Sequence, residues 1–263
     1  MIDTKKTCYL LFDYDGTVFL NGTIPKENII AIEKAQALGH KAILNTGRSR
    51  GGLDFSLEKN QGISWDGMIF GATDMTFEGK RYHEHTLTEE EIDHWVRYAI
   101  DHLFWFALEG EVLTKRFLME ARTEPLTAEE YEALIKEIRE LCVDNPITKM
   151  TLRAVDEKDE PKNSTIRFVR QEGRHVELYP NGRDKGIGFL DFCRYYDIAK
   201  EQCVCFGDGF NDLAIFSECP TGVCMKNSPA VLQELASYVA KTEYGVAEGL
   251  QWLFGKDLDL TKK

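Results

Sequence analysis

The chain has 263 residues, with 44 acidic against 32 basic side chains and a formal net charge of −12. That balance opposes any general attraction to nucleic acid or to an anionic membrane surface, and 43% hydrophobic with 29% charged residues excludes a disordered, collagen-like or coiled-coil chain. No apolar run approaches the roughly 18 residues of a membrane helix, and an acidic motif stands where a signal peptide would have its cleavage site, so a cytoplasmic protein is expected. The seven Cys follow no disulfide-like spacing, which suits a reducing compartment. Cys203 and Cys205 alternate along an apolar run and read as core.

Taken in order, Thr7 to Phe12 is a short apolar strand ending in Asp13, and Pro25 to Leu38 has helical spacing at Ile29, Ile32, Ala35 and Leu38 before Gly39 stops it. Lys41 to Leu44 gives a second strand, Gly52 to Asn60 a helix, and Gly67 to Phe70 a third strand. The alternation predicts a parallel sheet with helices on its faces. It resumes with a helix from Lys185 to Tyr196, a strand Gln202 to Phe206, a helix from Asn211, a strand Gly222 to Met225, a helix Pro229 to Ala236, and Tyr238 to Ala240. The two ends therefore read as halves of one domain, residues 1–80 and 181–263.

Residues 81–180 read differently, as an inserted α+β domain. Helices are predicted at Glu89 to His102 and Ala128 to Cys142, an aromatic strand at Phe104 to Leu108, and further strands at Thr148 to Val155, Thr165 to Val169 and His175 to Tyr179. Of Phe104, Trp105 and Phe106 at least one faces the core of the insert. The charged run Asp156 to Asn163 is a solvated loop, His83 to His85 is a surface or hinge segment, and the tail from Lys256 is a frayed end.

Chemistry concentrates at strand ends. In DYDGT, Asp13 to Thr17, alternation along an extended chain would set Asp13 and Asp15 on one side, with Gly16 allowing a sharp departure. Such a pair suits a divalent cation, or a division of labour between nucleophile and proton donor. NTGR, Asn45 to Arg48, places a hydroxyl and backbone amides where phosphate oxygens can be held. Lys185 opens a helix, where the macrodipole disfavours a cation unless an anion is near. GDGFND, Gly207 to Asp212, gathers Asp208, Asn211 and Asp212, more polar groups than helix capping requires.

In this order DYDGT, NTGR, the Lys of PNGRDKG and GDGFND resemble the haloacid dehalogenase (HAD) superfamily. The size of the insert and the segment Gly222 to Leu250 resemble its Cof-type branch. The resemblance implies an α/β fold, a doubly wound parallel-sheet, Rossmann-like HAD core with an inserted α+β cap. It implies a magnesium-dependent phosphatase that acts through an aspartyl phosphate on a small phosphorylated metabolite, such as a sugar or cofactor phosphate, and uses neither nucleic acid nor membrane. Asp13 would be the nucleophile and Asp15 the acid and base. Mg2+ would be held by Asp13, Asp208 and the backbone carbonyl of Asp15. The phosphoryl group would meet Thr46, Gly47, Lys185 and Asn211, while Asp212 orients Lys185. A phosphomutase or phosphotransferase of the same superfamily, or a non-catalytic binding protein on this fold, are the alternatives. Tyr14 and Asn45 depart from the usual pattern, where an aliphatic and a small residue are common.

Overall fold

The structure, a computed structural model, describes residues 2–57, 62–118, 124–153, 155–160, 165–171 and 175–258. The chain begins with β1 (Tyr9–Phe12), α1 (Lys26–Ala37), β2 (Lys41–Thr46), α2 (Arg50–Leu57) and β3 (Gly67–Phe70), followed by β4 (Asp74–Phe77) and β5 (Lys80–His83). Leu10, Leu11 and Phe12 of β1 are all buried, as a central strand covered on both faces requires. The β4–β5 hairpin lies beyond the strands read from sequence, and it runs antiparallel on β3. Its turn is Glu78–Gly79 with both φ positive, the two-residue hairpin geometry that matches strand twist. Residues 58–60 of the expected second helix lie outside the described residues.

The insert contains α3 (Glu89–Asp101), β6 (Phe106–Gly110), β7 (Thr114–Phe117), α4 (Ala128–Val143), β8 (Ile147–Leu152), β9 (Arg167–Gln171) and β10 (His175–Tyr179). Both helices start in capping boxes. Thr88 and Thr127 accept from the amides of Glu91 and Glu130, whose side chains reach back to the cap amides. The chain returns through α5 (Lys185–Tyr195), β11 (Cys203–Gly207), α6 (Leu213–Glu218), β12 (Gly222–Cys224), α7 (Ala230–Leu235), β13 (Tyr238–Val239) and α8 (Gly245–Phe254). α8 was not among the sequence-derived helices. The tail holds longer than expected, since Leu258 is fully buried, and residues 259–263 lie outside the described residues.

Two compact units result. The first comprises Met1–Gly47, Leu57–His83 and Asp184–Lys263, and the second Arg48–Ser56 with Glu84–Arg183. The first is built on an eight-stranded sheet of order β13-β12-β11-β1-β2-β3-β4-β5. Its strands are parallel from β13 to β3, so the sheet is mixed, with the antiparallel hairpin at one edge. One face is packed by α5 and α6 over Leu11, Ile43, Ile69, Cys203, Cys205, Phe189 and Phe192. Cys203 and Cys205 are core here, as their alternation required. Successive connections run one way from β1 to β2 and the other way from β11 to β12, so the order reverses at β1, where open α/β sheets bind ligands.

The second unit is a five-stranded antiparallel sheet of order β7-β6-β8-β10-β9. Phe106, Leu108, Met150, Leu152, Val176 and Leu178 share an apolar cluster with Trp95, Val96 and Ile138 of α3 and α4. Phe106 thus fills the core and stacks on Phe117 at 5.0 Å. The opposite face carries a buried charged row. Lys149 Nζ lies 2.7 Å from Glu177 Oε1 and 3.1 Å from Glu109 Oε1, and Thr151 donates to Glu109 at 2.6 Å. The charged run after β8 forms a single 3-10 turn, Glu157–Asp159, where Asp159 accepts from the Tyr98 hydroxyl; residues 161–163 lie outside the described residues.

Candidate active site

At the carboxyl ends of β1, β2 and β11 the first unit assembles a buried charged cluster. Asp13 directly follows β1, its amide donating to the Phe206 carbonyl at 2.9 Å, and its side chain is 5% exposed as a residue. Lys185, 3% exposed at the first turn of α5, donates from Nζ to Asp13 Oδ1 at 2.5 Å and to Asp212 Oδ1 at 2.6 Å. Asp212, 1% exposed, closes a 3-10 turn, Phe210–Asp212, and its Oδ2 accepts the amides of Asp208 and Gly209 at 3.0 and 3.1 Å. Asp208 is held by Thr17, whose hydroxyl donates to Oδ1 at 3.2 Å.

Close approach explains two glycines. Gly16 has φ +83°, and a Cβ there would stand 2.3 Å from Asp208 Oδ2; one on Gly207 would stand 2.5 Å from Asp212 Cγ. Only glycine admits the first of these turns without strain.

Burial and charge set the protonation preferences. Burial pushes the Asp13 carboxyl well above the usual range, with Asp212 and Asp208 adding to the rise and Lys185 opposing it. Burial likewise raises Asp208 to about 6, assisted by Asp212 and opposed by Lys185 and the Thr17 hydrogen bond. Burial opposes the charge on Lys185, but Asp13 and Asp212 outweigh it and hold the ammonium above the ordinary lysine value.

Among the described residues Asp13, Asp208 and Asp212 form the group of three carboxylates whose ligand atoms lie within 4.8 Å of one another. With Lys185 their formal charge is −2 when all are ionised, and oxygen donors of this kind fit a hard divalent cation. Asp15 stands outside that group and is exposed. Beyond Asp13 the Tyr14 carbonyl accepts the amides of Val18 and Phe19, turning the chain. Tyr14 itself is buried and stacks on Phe19 at 5.0 Å. Thr46 ends β2 and Gly47 follows it, both buried, while Asn211 is half-buried. A crevice of about 600 Å³ opens beside Gly16 and Asp208, bordered by Phe19, Asn21, Met225 and Lys226.

Sequence reasoning had no role for Thr17, although its place two residues after Asp15 in DYDGT could have suggested one. In the HEH segment the chain leaves the first unit after His83, and His85 Nδ1 lies 3.2 Å from Asn181 Nδ2.

The haloacid dehalogenase-like hydrolase family matches residues 10–250. This chain belongs to that family. Over 93% of its length it is 26% identical to YkrA of Bacillus subtilis (strain 168), a protein with a provisional phosphatase name, of which the match covers 96%. It is 31% identical over 81 residues, 30% of each chain, to the 5-amino-6-(5-phospho-D-ribitylamino)uracil phosphatase YitU of the same organism. The solved structure of the HAD subclass IIB sugar phosphatase BT4131 superposes with a TM-score of 0.73 at 20% identity, covering 94% of this chain and 99% of that one. The HAD fold and a HAD-type phosphatase assignment follow for this chain, which is therefore an enzyme.

Proposed function

We propose that this haloacid dehalogenase-like hydrolase is a magnesium-dependent, cytoplasmic phosphatase that cleaves a phosphomonoester of a small metabolite through an aspartyl phosphate. The observation that carries the reading is the Lys185 ammonium bonded at once to Asp13 and Asp212 beside Asp208. A phosphoryl group entering there meets a buried cation and a nucleophile at hydrogen-bond distance from each other, which favours positioning and electrostatic catalysis. Asp13 attacks phosphorus. Asp15, exposed where a leaving group can reach it, protonates the departing alcohol and then takes a proton from water. Asp13 and Asp208, with the backbone carbonyl of Asp15, would hold the magnesium ion, which neutralises phosphoryl charge when bound. Thr46, Gly47 and Asn211 complete the phosphate contacts, and Asp212 fixes Lys185. The second unit is read as the cap, with residues 81–180 as the inserted domain, that selects the leaving group. YitU and BT4131, named for a phosphorylated ribitylamino-uracil and for sugar phosphates, support a small phosphorylated metabolite as substrate class.

A panel of phosphorylated metabolites assayed for phosphate release with and without Mg2+, using the parent and Asp13→Asn, tests this. Release is expected only from the parent with Mg2+. Equal release by Asp13→Asn would move the nucleophile elsewhere, and transfer to an added sugar without free phosphate would make the enzyme a phosphotransferase.

A further inference from the structure

Asn45 is the next-to-last residue of β2 and 2% exposed, and among the described residues its Oδ1 is buried with no hydrogen-bond partner. A buried amide oxygen left unpaired lowers stability. Its place relative to the charged cluster follows from register. Asn45 pairs with Ile69 and lies two residues beyond Ile43, and both isoleucines belong to the apolar cluster under α5 that contains Leu11 and Phe189. Side chains alternate along a strand, so Asn45 projects to that same side, one step nearer the carboxyl edge.

On the neighbouring strand Phe12 pairs with Leu44, which sets Asp13 beside Asn45 and on the side of Leu11. On α5, Lys185 precedes Phe189 by one turn and shares its helix face. Asn45 therefore projects to the same side of the sheet as Asp13 and Lys185, its backbone about one strand spacing of 4.8 Å from that of Asp13. Lys185 has three N–H groups, and among the described residues Asp13 and Asp212 take two. An orphaned oxygen needs a donor, which a phosphoryl oxygen cannot be. A Lys185 N–H released from Asp13 can.

We propose that Asn45 is a positioning residue whose Oδ1 accepts the Lys185 N–H that Asp13 gives up when it becomes phosphorylated. The proposal rests on the reading of Asp13 as nucleophile. In the first step an Asp13 oxygen bonds to phosphorus, the bond from phosphorus to the alcohol oxygen breaks, and the alcohol leaves with the proton of Asp15. The acyl phosphate is a weaker acceptor than the carboxylate was, so the freed N–H turns to Asn45. Lys185 keeps Asp212 and stays on the phosphoryl group. Water then attacks phosphorus, its proton passes to Asp15, the bond from phosphorus to Asp13 breaks, and the restored carboxylate takes the N–H back. The role of Asn45 thus falls on the second step.

The test uses the full chain with Mg2+ and p-nitrophenyl phosphate. The burst of nitrophenol reports phosphorylation and acid-quenched phosphoenzyme reports its breakdown, in the parent, Asn45→Leu and Asn45→Asp. Asn45→Leu should phosphorylate within severalfold of the parent, while dephosphorylation slows about ten- to a hundredfold, the worth of one hydrogen bond to a charged group. Asn45→Asp keeps the shape and an acceptor, so it should dephosphorylate within severalfold of the parent, with KM raised by its charge. Asn45→Leu should also melt no lower than the parent, because it replaces an unpaired polar group by an apolar one. Unchanged dephosphorylation in Asn45→Leu, or equal loss in both steps with a lower Tm, would overturn the proposal. If Leu does not fold, Asn45→Ala makes the same kinetic comparison. A parent that releases nitrophenol without forming a phosphoenzyme would instead remove the nucleophile reading, and this proposal with it.

Discussion

Replacing Lys185 by Met removes the cation bonded to Asp13 and Asp212 while keeping most of its bulk, and leaves Asp13, Asp208 and Asp212 with ligand atoms within 4.8 Å of one another. Two of the three lose a hydrogen bond of 2.5 or 2.6 Å. Breaking a buried ion pair by deleting one partner costs about 3–5 kcal/mol. For a chain of this size each kcal/mol moves Tm by about 2–4 °C, so a fall of roughly 6–20 °C is expected at pH 7.5 without metal. Two rescues follow from the same charges. Mg2+ at 100 times its Kd returns about 2.7 kcal/mol by mass action. Acid should also help. Asp208 already titrates at about 6 with Lys185 lowering it, so without the lysine it takes up a proton at higher pH, and the deficit should shrink as pH falls from 8 towards 5. Differential scanning fluorimetry across pH and Mg2+ reads all three effects. A Tm change below about 2 °C, or a deficit indifferent to both pH and Mg2+, would refute the electrostatic account of the cluster.

Because the folded-state pKa of Asp208 is raised to about 6, its contribution to the metal-free protein's stability is fully present below the unfolded carboxylate value and lost as pH rises through about 6. Mg2+ affinity should rise over the same interval with proton release, and calorimetry in two buffers should detect that proton; pH-independent affinity would contradict it. Gly16→Ala forces a Cβ to within 2.3 Å of Asp208 Oδ2 at φ +83°, so Mg2+ binding should weaken about tenfold or more by titration. In the second unit, Thr88→Ala removes half of a capping box and should cost about 1 kcal/mol, with faster amide exchange at the start of α3; unchanged exchange would show that the cap contributes nothing.

The charged cluster was legible because its parts sit at the ends of short apolar strands, where a chain leaving a sheet must expose its next residues to one crevice. DYDGT and GDGFND flank β1 and β11, which the register pairs directly. The hairpin was not read because each arm has four residues, too few for alternation to stand out, and its turn signal is one Glu-Gly pair. The charged row of Glu109, Lys149 and Glu177 escaped for another reason. Each residue looks like an ordinary polar position on its own strand, and only the pairing of β6, β8 and β10 makes them neighbours. Asn45 was passed over as a mild departure from pattern, since nothing in a sequence reveals that an amide oxygen is buried without a partner.

The separation of the site's parts along the chain also has a bearing on synthesis. Asp13 and Lys185 are 172 residues apart, and Thr17 and Asp208 are 191 apart. A nascent chain presents β1 to β5 first, with the apolar edge of β1 waiting for β11. That edge is a ready template for mispairing until the ribosome has made the last third of the protein. The second unit closes its own sheet between residues 84 and 183, so it is complete before the strand that finishes the first unit exists. Asp13 emerges early but meets its lysine only after about two thirds of the chain has been made, and a chain arrested before then has no assembled cluster.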